Sequence, residues 1–370
     1  MSAPADRWPA ADPTLYRRLR EQDDPGVLAT VVSVEGAAYR RPGAKMLVDT
    51  DGDAIGAITA GCLRDRIVEA ALAVRETATP RVVAFDLADD DTWDLASGCD
   101  GRIEVLLEPV GEAIRDALGA VADRRAVTLI TAVESSHPEV AVGDRAVVDA
   151  GVNSHDERGR TLPADVSEAP QVQSVETTAM RTVETADGEV TVLVDPIEPP
   201  PRLLLFGSRP DLRPVAWLGR AVGFDVVVAS PRGGAATDET APAAHEVLAS
   251  HPTDLPAHTD RWTYPVVLSH NAIDDQIAVE ALLTDSPVPY VGLLGSRDRS
   301  RRLLEAIEDD GVELTDDQLD RLSTPVGLDL GGDGPTAVAL SVVGEVHAVH
   351  HGAPGGRLRD QSGPIHDRPQ

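Results

Sequence analysis

Leu203-Leu204-Leu205-Phe206 is an uninterrupted apolar run, closed by Gly207-Ser208-Arg209-Pro210 before a helical pattern begins near Leu212. A short apolar run bounded by glycine and proline reads as a strand buried on both faces, as in a parallel sheet. Downstream the pattern repeats. A helix is expected around 212–222, a strand at 225–229, a helix near 241–250, a strand at 266–269, a helix at 274–283 and a strand at 288–293. Thr315 with Gln318 has the spacing of a capping box and opens a helix expected to run through Leu322, and a last helix is expected from about Thr336 to Val346. Strands alternating with helices in this way predict a doubly wound parallel sheet.

Upstream lies Asp195-Pro196-Ile197-Glu198-Pro199-Pro200-Pro201, whose prolines favour an extended connector. The residues before it alternate differently. Leu15, Tyr16 and Leu19 share a helical face, the β-branched run 27–34 reads as a strand, and Asp49-Thr50-Asp51-Gly52-Asp53 is hairpin chemistry between 45–48 and 54–58. A helix follows on Leu63, Ile67, Val68, Ala71 and Leu72, then strands at 81–85 and 102–107, a helix at 111–123 and strands at 126–133 and 188–194. From 151 to about 181 the chain turns polar and aperiodic and is read as a surface insertion. The expected architecture is therefore α/β: a mixed α/β domain over 1–194, a linker over 195–201, a Rossmann-like doubly wound domain over 202–350 and a disordered tail over 351–370.

Sixty-two acidic against 33 basic residues leave a formal charge of −29, and Lys45 is the sole lysine. Such a surface repels phosphate backbones and anionic lipid, so neither nucleic acid nor membrane is expected as a partner. Few aromatics, few lysines and many carboxylates suit a salt-rich cytosol, and a halophile-like protein is expected. The first residues lack the basic start and apolar core of a signal peptide, and two cysteines are too few for a disulfide scaffold; a cytoplasmic setting is expected.

The candidate chemistry sits in loops. Gly207-Ser208-Arg209-Pro210 occupies the place where dinucleotide-binding folds carry G-x-G-x-x-G, but only the first glycine is present. Arg209 crowds the approach of a diphosphate, and Ser230 stands where an acid would hold a ribose, so NAD binding is doubtful; Arg232 leaves NADP open. Ser269-His270-Asn271 and Gly295-Ser296-Arg297 follow strands and should border the sheet's crevice. His270 could move a proton and Arg297 could grip an anion, or both could simply fix loops. Cys62 after Gly61, near a helix start, and Cys99 after Gly98, in a tight turn, are candidate soft ligands to a metal or to sulfur.

Several segments together resemble the XdhC/CoxI family of molybdenum hydroxylase accessory proteins. Gly36-Ala37-Ala38-Tyr39-Arg40-Arg41-Pro42-Gly43-Ala44-Lys45-Met46 resembles the family's G-S-S-Y-R-x-P-G-A-x-M, and Gly56-Ala57-Ile58-Thr59-Ala60-Gly61-Cys62-Leu63 its first cysteine loop. Ser97-Gly98-Cys99-Asp100-Gly101 with the strand after it is similar to the second. Tyr290-Val291-Gly292-Leu293-Leu294-Gly295-Ser296-Arg297 and Pro325-Val326-Gly327-Leu328-Asp329-Leu330-Gly331 match two further motifs. The resemblance implies a protein that binds molybdenum cofactor of the molybdopterin type, keeps it while its sulfido ligand is installed, and inserts it into the large subunit of a xanthine-dehydrogenase-like or CO-dehydrogenase-like enzyme. It implies cofactor contacts at Arg40, Gly61, Cys62, Gly98, Cys99, Gly207, His270 and Arg297, with Cys62 and Cys99 as molybdenum contacts. A cysteine desulfurase is a candidate partner, and a homo-oligomer is expected. Departures concentrate in the phosphate turn, where Gly207-Ser208-Arg209-Pro210 replaces the family's G-A-G-H. Two rival readings are an NAD(P)-linked oxidoreductase and a scaffold for hydroxylase assembly that holds no cofactor.

Overall fold

The computed structural model describes residues 15–16, 18–19, 26–36, 39–59, 61, 63–86, 101–149, 161–231, 237, 239 and 241–360. The chain divides into two compact units, Met1–Pro200 and Pro201–Gln370.

In the first unit, β1 (Val27–Glu35), β2 (Lys45–Val48), β3 (Ala54–Gly56), β4 (Arg81–Asp86) and β5 (Arg102–Pro109) form an antiparallel sheet of order β3-β2-β1-β5-β4. The β2–β3 hairpin turns on Asp49, whose carboxylate accepts from the backbone N–H groups of Asp51 and Asp53. The two-residue period of β1 explains why the strand is apolar throughout. Val27, Ala29 and Val31 pack against Ile67, Ala71 and Val74 of α1 (Arg64–Thr77), whereas Leu28 joins Leu15, Leu19 and the apolar stripe Ile114, Leu118 and Val121 of α2 (Glu112–Ala122).

The second sheet of this unit has order β7-β6-β9-β8, built from β6 (Val127–Ser135), β7 (Arg145–Asp149), β8 (Ala179–Thr185) and β9 (Gly188–Ile197). Two ion pairs fasten it to the first: Lys45 of β2 with Asp195 of β9, and Arg145 of β7 with Glu108 of β5, all four side chains nearly fully buried. The remaining oxygen of Asp195 accepts from Thr178 Oγ1 at 2.6 Å.

Part of the expected insertion is core. Its described residues contain α3 (Ala164–Ser167), α4 (Pro170–Gln173) and the start of β8, and Leu162, Val166 and Val172 pack on Val183, Val190 and Val192. One apolar side chain every few residues suffices for such short turns, and leaves no periodicity to read. The expected linker is also shorter than drawn, because β9 pairs with β6 through Pro196 and Ile197.

The second unit is a parallel six-stranded sheet of order β12-β11-β10-β13-β14-β15, formed by β10 (Arg202–Phe206), β11 (Asp225–Ser230), β12 (Glu246–Ala249), β13 (Thr263–Val267), β14 (Val291–Leu293) and β15 (Leu322–Ser323). Counted within the unit this is 3-2-1-4-5-6, the Rossmann order. Leu203 and Leu205 of β10 face α5 (Leu212–Ala221) and α9 (Pro335–His350), and Leu204 and Phe206 face α6 (Ala272–Thr284) and α7 (Arg297–Asp309). The Thr315–Gln318 capping box forms and opens α8 (Asp316–Asp320), but Leu322 belongs to β15.

The helix expected near 241–250 is corrected. Glu246–Ala249 pairs in parallel with Val227–Ser230 as β12, so the sheet's need for an edge strand overrides the helical preference of an alanine-rich segment. Of the expected tail, 351–360 is described and ends in a 3-10 turn at Leu358–Asp360. Among the described residues no helix is long and apolar enough to cross a membrane.

Candidate functional site

The order of the parallel sheet reverses between β10 and β13, so the loops after these strands part to opposite faces and leave a crevice between them. Gly207 begins the first loop. A Cβ there would stand 2.6 Å from the Leu268 carbonyl oxygen, so glycine is required by the close approach of β10 and β13 themselves. Beyond it the N–H groups of Leu212 and Arg213 donate to the carbonyls of Arg209 and Pro210 at 3.2 and 3.1 Å. Arg209 points into solvent. The glycine expected for a phosphate turn therefore has a packing role, and backbone carbonyls occupy donors that a diphosphate would use.

Asp211 ends this loop as the N-cap of α5, yet its side chain makes no cap hydrogen bond. It reaches across the crevice, and its Oδ2 lies 2.5 Å from Nε2 of His270. His270 holds a left-handed backbone conformation, φ 61°, which is uncommon for a residue with a side chain and gathers at functional sites. Its neighbours fix it there. Asn271 caps α6 by accepting from the N–H groups of Ile273 and Asp274, and the fully buried Asp275 accepts from both the N–H and the hydroxyl of Ser269. The second oxygen of Asp275 takes Arg299 of α7, and Ser296 caps that helix through the Arg299 N–H. His270 thus rests on a chain of contacts linking β13, α6 and α7.

Beneath the pair lies a cavity of about 180 Å³, walled by Val215, Leu268, Leu294, Val338 and Val342 among others, with Asp211 and Asp333 as its acids. Among the described residues no arginine, lysine or histidine lines it. Asp211 Oδ1 is shielded from solvent and has no hydrogen-bond partner among the described residues. The cavity is suited to an apolar, donor-bearing group and is unsuited to an anion.

Arg297 is the exposed first residue of α7, outside the cavity wall. In the first unit Arg40 is half-buried in the loop after β1, and Gly61 adopts φ 116° just ahead of α1, with no atom of the other described residues within 4 Å of its Cβ position. Cys62, Gly98 and Cys99 lie outside the described residues, as does Arg232. Among the described residues no group of three or more His, Cys, Asp and Glu side chains is placed to hold a metal ion. Sequence reading brought His270 and Gly207 to one crevice and missed Asp211, Asp275 and Asp333. The available signal was Asp211 itself, the acid that ends the altered turn.

Residues 203–346 match the XdhC Rossmann domain, and residues 19–86 match the XdhC and CoxI family. A protein of Bacillus subtilis described as a probable subunit of xanthine dehydrogenase is 30% identical over 349 residues, which cover 90% of this chain and 96% of that protein. The molybdenum cofactor insertion chaperone PaoD of Escherichia coli is 23% identical, with 87% of this chain and 83% of the relative covered. A crystal structure described as a xanthine dehydrogenase from Bacillus halodurans superposes with a TM-score of 0.71 at 29% identity, covering 92% of this chain and 96% of the other. On the strength of both matched regions and of a relative shared along nearly its whole length, this chain belongs to the XdhC and CoxI family.

Proposed function

We propose that the chain is an accessory protein of molybdoenzyme maturation, which binds molybdenum cofactor, keeps it during sulfuration and passes it to the large subunit of a xanthine-dehydrogenase-like or CO-dehydrogenase-like hydroxylase. The observation that carries this reading is the acidic crevice of the second unit. Asp211 stands at the helix start where an oxidoreductase of this fold seats a diphosphate. A phosphate oxygen about 4 Å from that carboxylate meets a repulsion of roughly 4 kcal/mol per charge pair at an effective dielectric near 20. That is nearly three decades of affinity, and it weighs against NAD(P) chemistry. Similarity to a relative named for xanthine dehydrogenase and to one named for cofactor insertion supports the molybdenum cofactor as cargo.

Cys62 and Cys99 are the soft donors of the chain, and a thiolate is the side chain suited to molybdenum or to a transferred sulfur. We assign them as cargo contacts, with a cysteine desulfurase as sulfur donor, a homo-oligomeric state and a cytoplasmic setting. The test is molybdenum and pterin content per chain after anaerobic purification, for wild type and for Cys62→Ser and Cys99→Ser. Wild type should retain both and activate its hydroxylase, and each variant should fold and lose cargo. Wild type free of pterin and molybdenum would overturn the assignment. Variants that keep cargo would remove the cysteines from the site while leaving the cargo in place.

A further inference from the structure

We propose that the cavity beneath Asp211 takes the amino-pyrimidinone edge of a pterin ring, so that the heterocycle of the cargo is held in the second unit while its anionic end stays outside. The inference rests on the reading of the cargo given above and adds where its ring is recognised and by which atoms.

Three observations converge. The first is the unequal use of the Asp211 carboxylate: Oδ2 is taken by His270, and Oδ1 is buried without a partner among the described residues. A buried acceptor without a partner carries the cost of its lost hydration, so a donor that reaches it restores a missing hydrogen bond. The second is the wall. Val215, Val338 and Val342 on two helices, with Leu268 and Leu294 after two strands, offer aliphatic surface to the faces of a flat ring. The third is charge and size. With two carboxylates and no basic side chain among the described residues of its wall, the cavity disfavours phosphate, and about 180 Å³ falls below the roughly 300–1,000 Å³ of sites that enclose drug-sized ligands.

A small planar heterocycle with adjacent N–H donors satisfies all three. In a pterin the 2-amino group and the neighbouring ring N–H lie side by side, so one can donate to Oδ1 while the other shares Oδ2 with His270. The strained backbone of His270 then has a purpose. It places Nε2 against Oδ2 of a carboxylate that lines the cavity and leaves Oδ1 without a partner among the described residues, which makes His270 a positioning residue. Guanine carries the same edge, so both sources of that chemistry belong in the test.

The experiment is a fluorescence titration of the full chain with 6-hydroxymethylpterin, beside guanosine and a lumazine that carries a carbonyl in place of the 2-amino group. We expect saturable binding of the pterin, at least tenfold weaker binding of the lumazine, and at least tenfold loss for Asp211→Asn at unchanged melting temperature. Val338→Trp, which fills the cavity from the other wall, should abolish binding. Equal binding of lumazine and pterin by wild type overturns the proposal without any variant, and tighter binding of guanosine than of pterin overturns the cargo's ring as the ligand. If no heterocycle binds while the anaerobically purified chain carries molybdenum and pterin, this inference fails and the accessory function stands.

Discussion

Replacing Asp275 by alanine should loosen the second unit and release His270. The carboxylate is fully buried and receives three donors: the Ser269 N–H at 3.2 Å, the Ser269 hydroxyl at 2.5 Å and the Arg299 guanidinium. Breaking a buried ion pair from one side costs about 3–5 kcal/mol, because the surviving partner is stranded. The Arg299 side chain is 31% exposed and can recover some water, which puts the expected loss at the lower end, about 3–4 kcal/mol. With a urea dependence of about 2 kcal/mol/M, the midpoint should fall by about 1.5–2 M. Asp275→Asn keeps one acceptor and the volume, and should lose only about 1–2 kcal/mol. The assay is urea denaturation in molar KCl, followed by tryptophan fluorescence and by the His270 imidazole resonances below the transition. If the alanine variant lies within about 1 kcal/mol of wild type, or if the His270 resonances do not move, Asp275 does not hold the crevice together as argued.

Stability should also fall on acidification through a window set by the last turn of α9. Burial first, then the nearby His351 and His347, holds the His350 pKa down at about 4, and His350 accepts or donates a 3.0 Å hydrogen bond with Tyr264. An unfolded histidine titrates near about 6.5, so the unfolded chain binds more protons between about 6.5 and 4 and stability drops as pH falls through that range. His350→Gln should flatten this slope in urea midpoints measured across those pH values, and an unchanged slope would place the effect elsewhere. With a net charge of −29, the chain should refold fully, by circular dichroism, in molar KCl and poorly at low salt; equal stability in both removes the halophile reading. Calorimetric titration with NAD should show no saturable binding at micromolar concentrations, and a Kd of about 1 µM, near −8.2 kcal/mol, would contradict the electrostatic argument at Asp211.

The Rossmann sheet was legible because Leu203–Phe206 and the segments after it carry the one signal that survives without tertiary context, a short apolar run between breakers. The capping box was legible for the same reason, since Thr315 and Gln318 each bond the other's backbone and the pairing needs no distant residue. Glu246–Ala249 was not, because its strand state is conferred by β11, whose position no local pattern reports. The carboxylates failed for another reason. Asp275 sits in the first turn of α6, where acids ordinarily complement the helix dipole in solvent, and nothing nearby in sequence reveals that Arg299 will meet it there. Glycine misled in the opposite direction. Gly207 has the position of a phosphate-turn residue, and the structure gives it a neighbour, the Leu268 carbonyl, that demands glycine with or without a ligand.

Burial of the sole lysine gives this protein an unusual relation to amine chemistry. With Lys45 closed in its pair with Asp195, no side-chain amine is offered to acylating reagents, crosslinkers or enzymatic tags while the first unit is folded. Modification at Lys45 requires the two sheets to separate, so its rate reports the opening of that unit in a background without competing lysines. One peptide in a mass spectrum then measures the free energy by which a salt bridge and two packed sheets keep a domain shut.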